Sequence, residues 1–283
     1  MHKYKNFTIK NLQIEFYVLL LQAKKPIREK TMRVALIQTD IQWMDTEQNM
    51  KNAERMINSC SYTDMFILPE MWNTGFIASH DGLVQDAATE WMKKMSRQKN
   101  AALCGSLSVK SPDGKNYNRQ YFVRPDMEIS VYDKRHLFSY GGEDAYYHAG
   151  ERRVVAEYLG VRFLLLTCYD LRFPVWSRNA NDYDAIICVA NWPESRQHVW
   201  DTLLRARAIE NQCYVIGCNR VGSDPKCTYI GHSAVIDSRG RTVAEAEREC
   251  EQIIFADLDF DSQNRFRQKF PVLDDRDAFK LEQ

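Results

Sequence analysis

Three polar residues of this 283-residue chain stand where strand-like runs end. Glu70 closes "MFILPE", Lys134 closes "EISVYDK" and Cys168 closes "FLLLTC". Each alone has an ordinary explanation. A strand-end Glu or Lys is usually solvated, and a buried Cys is usually an inert small hydrophobe. Together they can attack an amide or nitrile carbon. A free thiol, with a pKa of about 8.5, is mostly protonated at neutral pH. A carboxylate at hydrogen-bond distance can take that proton as attack proceeds. An ammonium can hold the negative charge that develops on the substrate oxygen, and the backbone N–H of Tyr169, beside the thiol, is a second donor. This chemistry needs no organic cofactor and no metal.

Composition is compatible with such an enzyme and disfavours other classes. Formal net charge is zero, so nothing marks nucleic acid or an anionic membrane as a partner. The eight cysteines include no C-x-x-C pair, and no two histidines sit at ligand spacing, which argues against a metal centre. The chain is too long for a disulfide-stapled mini-domain, so reduced thiols in a cytoplasmic protein are expected. Residues 1–31 are lysine-rich with one apolar run at 16–21, far short of the roughly 20 residues that span a bilayer. We read residues 1–31 as a leader or extension outside the fold, and residues 32–283 as one domain.

The elements that must position the three residues alternate along the chain. "RVALIQ" is a strand, and "TEQNMKNAERMINSC" sets Met50, Ala53 and Ile57 on one helical face, with Asp45 or Thr46 as cap. "ATEWMKKMSRQKN" is an amphipathic helix and "AALCGSLSV" a strand. "NRQYFVR" and "EISVYDK" flank Pro125-Asp126 as a hairpin. "VRFLLLTC" and "DAIICVAN" are apolar throughout, "RQHVWDTLLRARAIENQ" is a long helix, and "CYVIGCN", "HSAVIDSRGRTVAEA" and "EQIIFADLD" complete the strands. Strands too apolar to face water on either side imply an α/β protein with helices covering its sheets. In such folds chemistry collects beyond the carboxyl ends of strands, where all three residues lie.

"FILPEMWNTGF", "YDKRHLF" and "LTCYDLRFP" closely resemble the Glu, Lys and Cys signature segments of the nitrilase superfamily of carbon–nitrogen hydrolases. The likeness continues through "NWP", "ARAIENQCYVIGCNRVG" and "GHSAVIDSRG" and spans residues 32 to about 260. The resemblance implies a four-layer αββα sandwich that pairs sheet to sheet as a homodimer or higher homo-oligomer. It makes Glu70 the general base, Lys134 the oxyanion lysine, Cys168 the nucleophile and Glu143, in "GGEDAYYHAG", a second active-site glutamate. Within the superfamily the chain looks most like the omega-amidase branch, whose substrates are short dicarboxylic monoamides such as 2-oxoglutaramate or 2-oxosuccinamate, hydrolysed through a cysteine thioester. An N-carbamoyl amino acid hydrolase, an aliphatic nitrilase and a non-catalytic binding module are the alternatives.

A substrate with a carboxylate a few carbons from its amide needs a cation at that distance. Arg172, four residues beyond Cys168, is the candidate, and pairing with Asp170 is its structural alternative. Trp72, Trp192 and Phe173 are candidate pocket walls, and Tyr169 is a further candidate substrate-binding residue. His136 is read as pocket lining or a supporting group, His232 as packing, and Arg207 with Glu210 as a helix ion pair.

Overall fold

A computed structural model describes residues 31–77 and 85–281. Of the segment 1–31, read above as lying outside the fold, only Thr31 falls within the described residues, and it opens the first strand. Two six-stranded sheets form the body. The first is ordered β14-β1-β2-β3-β4-β5, from β1 (Thr31–Gln38), β2 (Met65–Ile67), β3 (Ala102–Lys110), β4 (Asn116–Val123), β5 (Ile129–Asp133) and β14 (Gln252–Asp259). The second is ordered β13-β12-β9-β8-β7-β6, from β6 (Val155–Tyr158), β7 (Val161–Thr167), β8 (Ala185–Val189), β9 (Tyr214–Cys218), β12 (Ala234–Ile236) and β13 (Thr242–Glu245). A small ribbon of β10 (Val221–Ser223) and β11 (Thr228–Ile230) lies beside them.

Side-chain alternation decides what each face covers. In β1, Val34 and Leu36 join Ile67 and Phe122 in one core with Phe163, Leu165 and Ile187 of the second sheet. Phe122 and Phe163 stack across the sheets with centroids 5.8 Å apart. The intervening Ala35 and Ile37 face the other way, into a separate core with Ala53, Met56 and Ile57 of α1 (Thr46–Ser59) and Trp91 and Met92 of α2 (Gln85–Lys99). Asp45 caps α1 by accepting from the Gln48 N–H at 3.0 Å. Beyond the turn α3 (Pro174–Ser177), α4 (Gln197–Asn211) covers the outer face of the second sheet. There a Cβ at Gly217 would lie 2.7 Å from Leu204, so only glycine lets helix and strand approach this closely. The result is the four-layer αββα sandwich, completed by α5 (Phe260–Lys269).

Strand direction gathers the functional ends. β1, β2 and β3 run parallel, and the β3–β4–β5 meander returns β5 to the same direction. β7, β8 and β9 are mutually parallel. The two sets finish at one end of the sandwich, where Cys218 Sγ lies 3.3 Å from the Ile67 carbonyl.

Candidate active site

Lys134 follows β5 directly and is wholly buried, as are Glu70 beyond β2 and Glu143 in the loop after β5. Its Nζ donates to Glu70 Oε1 at 2.9 Å and to Glu143 Oε2 and Oε1 at 2.8 and 3.1 Å. A wholly buried ammonium is tolerable only when so paired. Burial alone would lower the Lys134 pKa, but the two carboxylates overcome it and hold the group well above its ordinary value. Glu143 is pushed up by burial and by the charge of Glu70, with Lys134 opposing. Gly150 holds Lys134 in place: its N–H donates to the Lys134 carbonyl at 2.9 Å, and a Cβ there would lie 2.0 Å from the Asp133 carbonyl oxygen.

The carboxylates are aimed by groups that sequence reasoning missed. Asn118, mid-strand in β4, donates to Glu70 Oε1 at 2.7 Å and to Glu143 Oε1 at 3.0 Å. The Ser106 hydroxyl donates to Asn118 Oδ1, which fixes the amide's direction. Asn191, just past β8, donates its N–H to Glu70 Oε2 at 2.8 Å, and the Phe138 N–H donates to Glu143 Oε2 at 2.6 Å. The available signal for Asn118 was a strand carrying wholly buried Asn118 and Gln120 where a core would place apolar residues.

Cys168 sits at a sharp corner. The chain leaves β7 and enters the 3-10 turn Cys168–Arg172 with Cys168 at φ +48°, a left-handed conformation that a non-glycine residue adopts only when its surroundings impose it. Asp170 imposes it. Its wholly buried carboxylate accepts from the Thr167 N–H (2.9 Å), the Tyr132 hydroxyl (2.8 Å) and the His136 N–H (2.9 Å), with His136 Nδ1 at 2.8 Å. One carboxylate thus ties the loop bearing Cys168 to the loop bearing Lys134. His136 is stacked on Phe173, centroids 3.8 Å apart, and supports this tie rather than the cavity wall. Burial, then the nearby Glu70 charge, pushes the Cys168 thiol well above its ordinary pKa, with Lys134 opposing. The resting group is therefore a thiol. Its Sγ lies 3.9 Å from the Asn191 carbonyl oxygen.

A cavity of about 330 Å³ opens over the thiol, lined by Lys134, Cys168, Tyr169, Arg172, Asn191 and Trp192 among others. Trp72 corrects the expectation: it does not line the cavity. Met71 takes φ +43°, and Trp72 is turned into the helix-side core, 4.8 Å from the Trp91 ring. The alternative partner of Arg172 is not formed, because Asp170 is committed to Tyr132, His136 and Thr167. Arg172 lies instead over the rings of Trp192 (5.3 Å) and Tyr169 (6.0 Å). His232 is held by Asp201 at 2.7 Å, away from the cavity, and Arg207 pairs with Glu210 at 3.0 Å as expected. Among the described residues no cluster of His, Cys, Asp and Glu could hold a metal ion.

Known proteins share this arrangement's framework. The carbon-nitrogen hydrolase family model matches residues 33–268. The omega-amidase YafV of Escherichia coli (strain K12) is 44% identical over 253 residues, 88% of this chain and 98% of that one. The 2-oxoglutaramate amidase of Bacillus subtilis (strain 168) is 37% identical over 251 residues, 86% of this chain and 96% of that one. The crystal structure of XC1258 from Xanthomonas campestris, a CN-hydrolase superfamily protein with an arsenic adduct in its active site, superposes with a TM-score of 0.84 at 36% identity, covering 89% of this chain and 99% of that one. With sequence, fold and spacing in agreement over nearly its whole described length, the chain belongs to the carbon–nitrogen hydrolase family and is an amide-hydrolysing enzyme.

Proposed function

We propose that this enzyme hydrolyses the terminal amide of short dicarboxylic monoamides of the 2-oxoglutaramate or 2-oxosuccinamate type, releasing ammonia. The observation that carries the proposal is a guanidinium, Arg172, that has no carboxylate partner among the described residues and lies in the same cavity of about 330 Å³ as the Cys168 thiol. Arginine binds carboxylate through two parallel N–H donors, and among the described residues no carboxylate pairs with them. The relatives named as omega-amidase and 2-oxoglutaramate amidase support the same reading.

The reaction follows from the residues. The Cys168 thiol gives its proton to Glu70 as sulfur bonds to the amide carbon. The C=O electron pair moves to oxygen, where Lys134 Nζ and the Tyr169 N–H hold it. The Tyr169 N–H belongs to the first turn of the 3-10 helix, where backbone donors have no intrahelical acceptor. Glu70 then protonates the nitrogen, the C–N bond breaks and ammonia leaves, giving a thioester. Water enters in its place and loses a proton to Glu70 as it adds to the carbonyl. Collapse expels the sulfur, which regains the proton, and the dicarboxylic acid departs. Each cycle consumes one amide and one water and regenerates every side chain. Glu143 shares the Lys134 charge and keeps the ammonium directed into the site.

The test measures ammonia release from 2-oxoglutaramate, an uncharged amide of equal length, an N-carbamoyl amino acid and an aliphatic nitrile. The monoamide should be turned over fastest, and Arg172→Ala should raise its KM by about 10-fold or more while leaving the uncharged amide nearly unchanged. Preference for the nitrile or the carbamoyl compound would refute the substrate assignment. A homodimer and residence in a reducing cytoplasm belong to the same proposal. They are supported by the family resemblance and by eight cysteines that are all unpaired. Light scattering of the purified protein tests the dimer.

A further inference from the structure

The cavity carries a second guanidinium that the catalytic scheme does not use. Arg196 ends the 3-10 turn Glu194–Arg196 between β8 and α4 and lines the same cavity as Cys168 and Arg172. Among the described residues it forms no ion pair. Its guanidinium lies 5.1 Å from the Phe138 ring centroid. Phe138 packs on Tyr169 at 5.2 Å, Tyr169 lies 6.0 Å from the Arg172 guanidinium, and Arg172 lies 5.3 Å from Trp192. The Trp192 indole N–H donates to the Arg196 carbonyl at 2.8 Å, which closes the circuit. Two arginines are thus set in an aromatic collar around one cavity.

This mounting has a chemical consequence. A guanidinium over an aromatic face is held by its plane, so its in-plane N–H donors stay free for a ligand. The carboxylate in the cavity lining, Asp224, is committed to its own loop. It accepts from the Tyr229 hydroxyl at 2.6 Å and from the Lys226 and Cys227 N–H groups at 2.7 Å. Lys226 also lines the cavity but is exposed at its mouth, and the Lys134 charge is taken up by Glu70 and Glu143. Two half-buried guanidiniums with free donors exceed what one carboxylate requires.

We infer that Arg196 is a specificity-determining residue that joins Arg172 in holding the acid end of the substrate, and that the pair selects monoamides whose far end is a 2-oxo acid. A 2-oxo acid offers a carboxylate and an adjacent carbonyl oxygen, enough acceptors for two forks. An unsubstituted acid offers the carboxylate alone. This inference rests on the substrate class proposed above.

The test compares the wild type, Arg196→Met and Arg196→Lys on 2-oxoglutaramate, glutaramate and valeramide, which share one chain length and differ only at the far end. Arg196→Met should lower kcat/KM for 2-oxoglutaramate about 10- to 100-fold, mainly through KM, and lower it less for glutaramate. It should leave valeramide within about twofold, and Arg196→Lys should restore part of the loss. In the Cys168→Ala background, Kd for 2-oxoglutaramate should weaken by a similar factor on adding Arg196→Met. Equal losses on all three amides would mark a structural role and overturn the inference, as would unchanged kinetics and unchanged Kd. A wild type that favours valeramide would instead overturn the substrate class itself, and the wild-type measurements alone reveal that outcome.

Discussion

Lys134→Met deletes the ammonium held between two buried carboxylates, and its consequences can be worked out from the geometry. At about 2.9 Å, Coulomb's law with an effective dielectric of about 20 gives roughly 5–6 kcal/mol for each Lys–Glu contact before desolvation is counted. Desolvation offsets much of this, and removing one partner of a buried pair costs about 3–5 kcal/mol net. The same change removes an oxyanion donor, for a loss of about 10²–10³ in kcat. The two losses separate through pH. Without the ammonium, Glu70 and Glu143 cannot both stay ionised in a dry site, so one takes up a proton. Its folded pKa then lies above the unfolded carboxylate value of about 4.3. A group raised in this way contributes stability that is fully present below the unfolded pKa and is lost as pH rises through the folded one. The Lys134 contribution in the wild type is also a raised pKa, so it is present below about 10.4 and constant through the neutral range. The stability deficit of Lys134→Met should therefore be larger at pH 8 than at pH 5, while turnover stays low at both. Urea unfolding at the two pH values and ammonia release check this. A pH-independent deficit, or turnover within tenfold of wild type, would refute it. Lys134→Arg should not restore turnover, because a planar fork cannot replace a compact charge between two carboxylates.

Cys168→Ala and Cys168→Ser should both abolish ammonia release while leaving the melting temperature within a few degrees. Iodoacetamide mapped by mass spectrometry should modify the exposed Cys250 before Cys168, and substrate should protect Cys168 only. Glu70→Gln should cost about 10³ or more in kcat and Glu143→Gln less, since only Glu70 carries protons in the cycle; the opposite order would exchange their roles. Asp170→Asn removes the charge that four donors converge on, so stability should fall by about 2–4 kcal/mol in urea unfolding, with kcat lowered more than KM is raised.

Most of the framework was legible because burial on both faces leaves an unbroken apolar run. "FLLLT" and "AIICV" carry that mark, and both are strands with nearly every residue buried. The elements missed lack it. β6 is a four-residue edge strand, β10 and β11 have three residues each, and α5 buries only Phe260 and Gln263 in an otherwise polar helix. In the site, Glu70, Lys134 and Cys168 could be read because each is a chemically capable side chain at the end of a strand-like run. Asn191 could not be read in the same way, because its partners meet only in the fold: its N–H donates to the Glu70 carboxylate, its side-chain amide donates to the Glu70 carbonyl, and its own carbonyl lies by Cys168. Asp170 lies two residues from the nucleophile, yet its partners Tyr132 and His136 are 38 and 34 residues away, a distance only the sheet order closes. Trp72 shows the converse error. Two residues from Glu70 in sequence, it is carried by the left-handed turn at Met71 to the opposite face of the sheet.

The electrostatics also decide how the nucleophile is made. In a thiolate–imidazolium pair the resting charge on sulfur is stabilised by a neighbouring cation. Here the nearest cation, Lys134, already serves two carboxylates, and burial together with the Glu70 charge holds Cys168 as a thiol. In the proposed reaction sulfur therefore gains its charge only while it is losing its proton to Glu70, in step with bond formation to carbon. In that reaction the negative charge passes from Glu70, to which Lys134 donates at 2.9 Å, to the substrate oxygen that the same ammonium would hold. In the proposed cycle the site's net charge stays constant through attack, collapse and hydrolysis, so a wholly buried carboxylate–ammonium trio need not recruit a counter-ion to balance a changing charge. That constancy accounts for three ionisable groups being enclosed together. A charge that moves a few ångströms inside a fixed set of donors requires little reorganisation, whereas one created afresh in the same cavity would carry the full cost of burial.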